Sequence, residues 1–125
     1  MRKDRLKKLA DFLDKLPTEK WDFSTIATGN TTCPSAACAI GWLPTIFPKS
    51  NIKLCRDESR SYWNLDVFYK GRLNFAAATM FFDIPLTIAL SLFDPEHYST
   101  GDSTTSEMVS KKIRHYIKTG ECIDA

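Results

Sequence analysis

Residues 73–93 (LNFAAATMFFDIPLTIALSLF) carry one charge, Asp83, in a chain whose residues are 26% charged. A helix that is apolar on every side has to be buried, in a protein core or in a bilayer. A bilayer span needs about twenty largely unbroken apolar residues, and Asp83 and Pro85 fall in the middle of this run. Proline removes a backbone donor and clashes with the turn before it. The run therefore divides into two helices, about 74–82 and about 85–93, at the centre of a water-soluble fold. Asn74 is placed to cap the first, Ala76, Ala77 and Ala78 give it a small-residue face, and Asp94-Pro95 ends the second.

The flanking sequence supplies further helices. Leu6, Leu9, Leu13 and Leu16 recur at three- and four-residue steps and predict an amphipathic helix over about 3–16, stopped by Pro17. Residues 18–32 read as a loop with Trp21, Phe23 and Ile26 as apolar anchors. Pro34 is a good first-turn residue, so a second helix is expected over 35–43, with Ala37 and Gly41 on a small face that lets it approach Ala77 and Ala78 closely. Thr104-Thr105-Ser106-Glu107 reads as a capping box for a last helix with Val109, Ile113, Tyr116 and Ile117 as its stripe and Gly120 as its stop. Ile52-Lys53-Leu54 and Val67-Phe68-Tyr69 look like two short strands with a polar tip between them. The expected fold is mainly α: one compact domain over 1–125, of about five helices, with a small β-hairpin at about 52–69 as the one departure. Area scaling for 14.2 kDa gives roughly 6,800 Å² exposed when folded, enough burial for one core without metal or disulfide staples.

Charge excludes some functions and patterns the surface. Seventeen basic against fifteen acidic residues give a net charge of +2, too balanced for a nucleic-acid mimic and giving no support to a histone-like binder. The balance is uneven along the chain: residues 73–107 contain five acids and no Lys or Arg, whereas 1–20 and 49–72 are net basic. A basic face and an acidic edge of this kind can orient a partner. Charge interrupts residues 1–16 throughout, so they lack a signal-peptide core. Residues 23–48 are uncharged but too polar in their first half for a bilayer. No membrane association is expected, and the expected compartment is the cytoplasm.

Candidate chemistry is sparse. Cys33, Cys38, Cys55 and Cys122 lack the second tight pair of a strong zinc motif. A Cys33–Cys38 disulfide along a helix would have to bridge a rise of about 7.5 Å, so the cysteines read as buried free thiols. A Cys38 nucleophile with His97 or His115 as base is disfavoured by the apolar residues around Cys38. No phosphate-binding loop or paired-histidine metal motif occurs, and no catalytic residue, metal or cofactor is expected. The most site-like segment is 60–72, where Arg60, Tyr62, Trp63, Tyr69, Lys70 and Arg72 interleave aromatic and basic side chains. Such residues anchor protein interfaces, hold single-stranded nucleic acid or nucleotides by stacking and phosphate contact, or pack inward as alternate strand residues.

The stretches Thr32–Trp42, Asn74–Ile84 and Leu92-Phe93-Asp94-Pro95 together resemble a group of small uncharacterised phage, prophage and bacterial proteins. In that group a Cys-x4-Ala-Cys-x-x-Gly-Trp helix precedes an Ala-rich helix ending Phe-Phe-Gly-Leu and then a Leu-Phe-x-Pro turn. Asp83 stands where the group tends to have glycine. The resemblance implies a helical fold and a phage setting and brings no activity with it. The functional expectation is a non-enzymatic phage-type accessory protein that binds a host or phage protein through segment 60–72, as an inhibitor of a host defence system. The alternative is a binder of single-stranded nucleic acid or a small phosphorylated nucleotide, with the same aromatics stacking and Lys70 and Arg72 on phosphate.

Overall fold

Leu65, Val67 and Tyr69 alternate along one strand and are 0%, 0% and 5% exposed, so one face of that strand is the floor of the core. The computed structural model describes residues 1–56 and 64–123. Along them run α1 (Lys3–Lys15), β1 (Ala27–Gly29), β2 (Pro34–Ala37), α2 (Leu43–Ile46), β3 (Lys53–Arg56) and β4 (Asn64–Tyr69). Then come β5 (Arg72–Leu73), α3 (Asn74–Phe82), α4 (Leu86–Phe93) and α5 (Ser106–Thr119). The fold is mixed α/β, which corrects the mainly α expectation: five antiparallel strands form a sheet of order β2-β1-β4-β3, with β5 also paired to β4.

Register explains how β4 serves three neighbours. Leu65 lies opposite Arg56 of β3 and Ala27 of β1, and Phe68 lies opposite Lys53 of β3 and Leu73 of β5. One edge of β4 is thus lined by β3, while β1 and β5 share the other. Lys70 and Gly71 join β4 to β5 with φ of 48° and 79°, the two-residue turn whose twist matches the strands. The expected hairpin is present as β3–β4, within a larger sheet.

The second predicted helix does not form. Pro34–Ala37 is strand β2, a 3-10 turn occupies Ile40–Trp42, and α2 is a single turn. Small Ala and Gly side chains offer no broad apolar stripe to hold a helix by packing. Pairing with β1 satisfies the backbone instead and sets Ala37 against Ala27, both fully buried. The indole N–H of Trp42 donates to the carbonyls of Ala37 and Lys20, each at 3.1 Å, and locks the turn. The close approach expected between Gly41 and α3 is made to the chain before β1: a Cβ on Gly41 would lie 1.9 Å from the Ile26 carbonyl oxygen.

The remaining helices fall close to their expected places. Helix α1 packs along α5, where Ser110 Oγ donates to the Ala10 carbonyl at 3.1 Å and Arg114 reaches Asp11 and Asp14. The cap of α5 is Thr105, which accepts from the Met108 N–H at 3.2 Å, one residue beyond the start of the expected box. Gly120 closes it with φ 76°. Helix α3 lies against β4 and α4, with Tyr69, Phe81, Phe82 and Phe93 in successive ring contact at 5.2, 5.2 and 5.8 Å. Asp83 ends α3 in the left-handed conformation (φ 54°), which Asp tolerates better than most residues. Helices α3 and α4 meet there at 112°, and no single helix among the described residues is long and apolar enough to cross a membrane.

Candidate functional site

A concavity lies where the edge shared by β1 and β4 faces the segment after α4. It is an open cleft of about 770 Å³. Ile26, Leu65, Phe75 and Pro95 give it apolar surface, and Ser24, Thr25, Thr28 and Asn64 give it neutral polar groups. Asp22, Asp94, Glu96 and Asp102 supply four carboxylates, and among the described residues no Lys or Arg lines it.

Local backbone chemistry holds two of these acids in place. Asp22 Oδ1 accepts from the Ser24 N–H at 3.0 Å and from the Ser24 hydroxyl, an Asx turn leading into β1. Asp94 Oδ1 accepts from the Glu96 N–H at 3.0 Å and caps the short helical turn Pro95–His97. Glu96 and Asp102 are exposed. Tyr98 fixes the segment behind them by donating from its hydroxyl to the Leu92 carbonyl at 2.7 Å. Trp21 clamps the other wall by donating from its indole to the Thr104 carbonyl at 2.8 Å. The negative field is thus mounted on anchored loops, the arrangement that attracts and orients a cationic group.

The residues expected to form the site do not line this cleft among the described residues. Arg60, Tyr62 and Trp63 lie outside the described residues. Tyr69 points into the core, edge-on to Phe81, as the inward-packing reading of that segment has it. Lys70 and Arg72 are exposed around the β4–β5 turn. The outward aromatic of the hairpin is Phe68, 42% exposed and opposite the equally open Leu73; the two-residue period of the strand would have assigned it. Tyr69 and Lys70 do meet Arg2 and Arg5 around a smaller cavity on another side of the molecule. Three of the four cleft acids come from the stretch without Lys or Arg that the sequence displays, and Ile26 is one of the apolar anchors of the 18–32 loop, whereas Asp22 had no signal of its own.

The thiols depart from the buried expectation in three cases. Cys38 is buried, Cys33 is exposed, and Cys55 and Cys122 are intermediate. Burial pushes the Cys38 thiol up to about 11, which disfavours the thiolate a nucleophile needs. Among the described residues no three His, Cys, Asp or Glu side chains gather as a metal-binding group.

No family profile, curated protein or solved structure matches this chain.

Proposed function

We propose that this chain is a non-enzymatic binding protein whose acidic cleft receives a lysine- or arginine-bearing, partly apolar segment of a partner protein. The observation that carries the reading is the lining itself: among the described residues, four carboxylates around apolar surface and no Lys or Arg. A polyanion is the wrong occupant, because four carboxylates repel phosphates. A cationic protein segment gains both steering and apolar contact. The resemblance carried by Ala37-Cys38-Ala39-Ile40-Gly41-Trp42 and Asn74–Ile84 supports a phage setting. The partner is then a host or phage protein in the bacterial cytoplasm, and occupying it is how a host defence system would be inhibited.

Affinity capture from bacterial lysate, with and without nuclease, tests the proposal. The expected result is a stoichiometric protein that survives nuclease and that, once purified, binds Glu96→Lys/Asp102→Lys at least about tenfold more weakly. Equal binding by this double variant, or recovery of nucleic acid alone, overturns it.

A further inference from the structure

We infer that the cavity between the start of α1 and the β4–β5 turn is a site for the phosphoryl group of a small phosphorylated ligand. Its walls are Arg2 and Arg5 from α1 and the residue before it, Tyr69 and Lys70 from the hairpin, Met80 from α3, and Asp83. Its volume of about 280 Å³ suits a small molecule.

Three features give it the chemistry of an anion site. First, its cations come from separate elements and are positioned by the fold. Arg5 Nη1 donates to the Phe81 carbonyl at 2.8 Å and its guanidinium lies 4.3 Å from the Phe81 ring centre. That uses one of five N–H donors and leaves four. The Arg2 backbone is tied by its N–H to the Phe82 carbonyl at 2.7 Å, while its side chain has no partner among the described residues. Lys70 is carried on the tight turn, with its ammonium 5.3 Å from the Tyr69 ring centre.

Second, Tyr69 lines this cavity, and its hydroxyl has no hydrogen-bond partner among the described residues; every fully buried side-chain polar atom among them has one, so this hydroxyl is open to solvent. An open phenol can donate to an anion, and a phosphoryl oxygen supplies the acceptor. Third, Asp83, the one acid in the wall among the described residues, is paired with the Met1 amino group at 3.3 Å. Three cations and a phenol match a dianion with three terminal oxygens better than they match a planar carboxylate with two. Arg72, opposite Tyr69 in β5, is not among the lining residues.

The site is separate from the acidic cleft, so either can fail alone. The test is a two-dimensional NMR titration of the full chain with inorganic phosphate, adenosine monophosphate and adenosine. Saturable shifts are expected at Arg2, Arg5, Tyr69 and Lys70 with the two phosphorylated probes and not with adenosine. Lys70→Ala and Arg2→Ala should each weaken binding about tenfold, as loss of a charge-assisted hydrogen bond does. Tyr69→Phe keeps the ring in the core and should weaken it several-fold. Arg5 supports Phe81, so it is left intact. Non-saturating shifts, shifts spread equally over distant cations such as Lys15, Lys49 and Lys118, adenosine binding as well as its monophosphate, or variants that bind like wild type overturn the assignment.

Discussion

The Val67 amide donates to Asn74 Oδ1 at 2.9 Å, a hydrogen bond from the central strand to a side chain seven residues downstream. It fills the interval on the shared edge of β4 between the rungs made with β1 and those made with β5. Asn74 Nδ2 donates in turn to Asp66 Oδ1 at 3.0 Å. To reach both, Asn74 adopts φ 52°, a left-handed conformation that asparagine tolerates and alanine resists.

Asn74→Ala should therefore lower stability twice over: about 1–3 kcal/mol from the orphaned amide, and about 1–2 kcal/mol from backbone strain. Asn74→Gly removes the amide but keeps the backbone at ease, so it should cost less than alanine. Urea unfolding of the three proteins checks this. Equal stability of the alanine variant and wild type would contradict the role given to this side chain.

Gly41→Ala should destabilise by about 1–3 kcal/mol, and Gly41→Leu by more, through overpacking. The added Cβ would meet the Ile26 carbonyl oxygen at 1.9 Å and the Ala37 Cβ at 2.6 Å. Backbone cannot swing aside as a side chain can. A melting temperature unchanged by the alanine substitution would show that the β1–β2 layer has more room than this geometry allows.

Legibility followed packing. The leucines of α1, the stripe of α5 and the apolar runs on either side of Asp83 announce helices because each buries a broad face, and the breaks at Pro17 and Pro85 mark their limits. Residues 34–43 misled because alanine favours helix locally, while the Trp42 indole bonds and pairing with β1 are contacts that sequence spacing does not reveal. Strand β1 spans three residues, too few to show a period of two. At the candidate site the charge asymmetry of 73–107 was visible, but its closure into a cleft with Asp22 depends on tertiary placement. Strand parity separates Tyr69 from Phe68, and composition alone treats them alike.

The link between α1 and α5 should weaken in acid. Arg114 donates to Asp11 Oδ1 at 2.7 Å and to Asp14 Oδ2 at 2.6 Å. The Arg114 hydrogen bond holds Asp11 below the usual carboxylate range. For Asp14, burial acts to raise the value, but with the hydrogen bond and charge of Arg114 on it the net shift is downward. Depressed native values mean that the unfolded chain takes up protons first. The contribution is therefore intact above the unfolded pKa of about 4 and is lost as pH falls through the lower native values. Arg114→Gln should be less stable than wild type at pH 6, with the gap closing toward pH 3. A gap independent of pH would contradict this linkage.

Thiol reactivity should divide sharply. Cys33 is exposed and should alkylate quickly at pH 8. Cys38 is buried, with its thiol pushed up to about 11, and should react only on unfolding. Peptide mapping after timed alkylation distinguishes the two; equal rates at Cys33 and Cys38 in the folded protein would contradict the burial assigned to Cys38.

The most direct measurement of the proposed function is carbodiimide cross-linking of the captured complex, followed by peptide mapping. This chemistry joins a carboxylate to a lysine in contact with it, so it reports which acids face the partner. Docking in the cleft predicts links from Glu96 and Asp102, the exposed members of the acidic set, to partner lysines. It also predicts that Glu96→Lys/Asp102→Lys abolishes both links and complex. Links confined to acids outside the cleft, such as Asp4 or Glu121, with the complex intact in the double variant, would contradict the account.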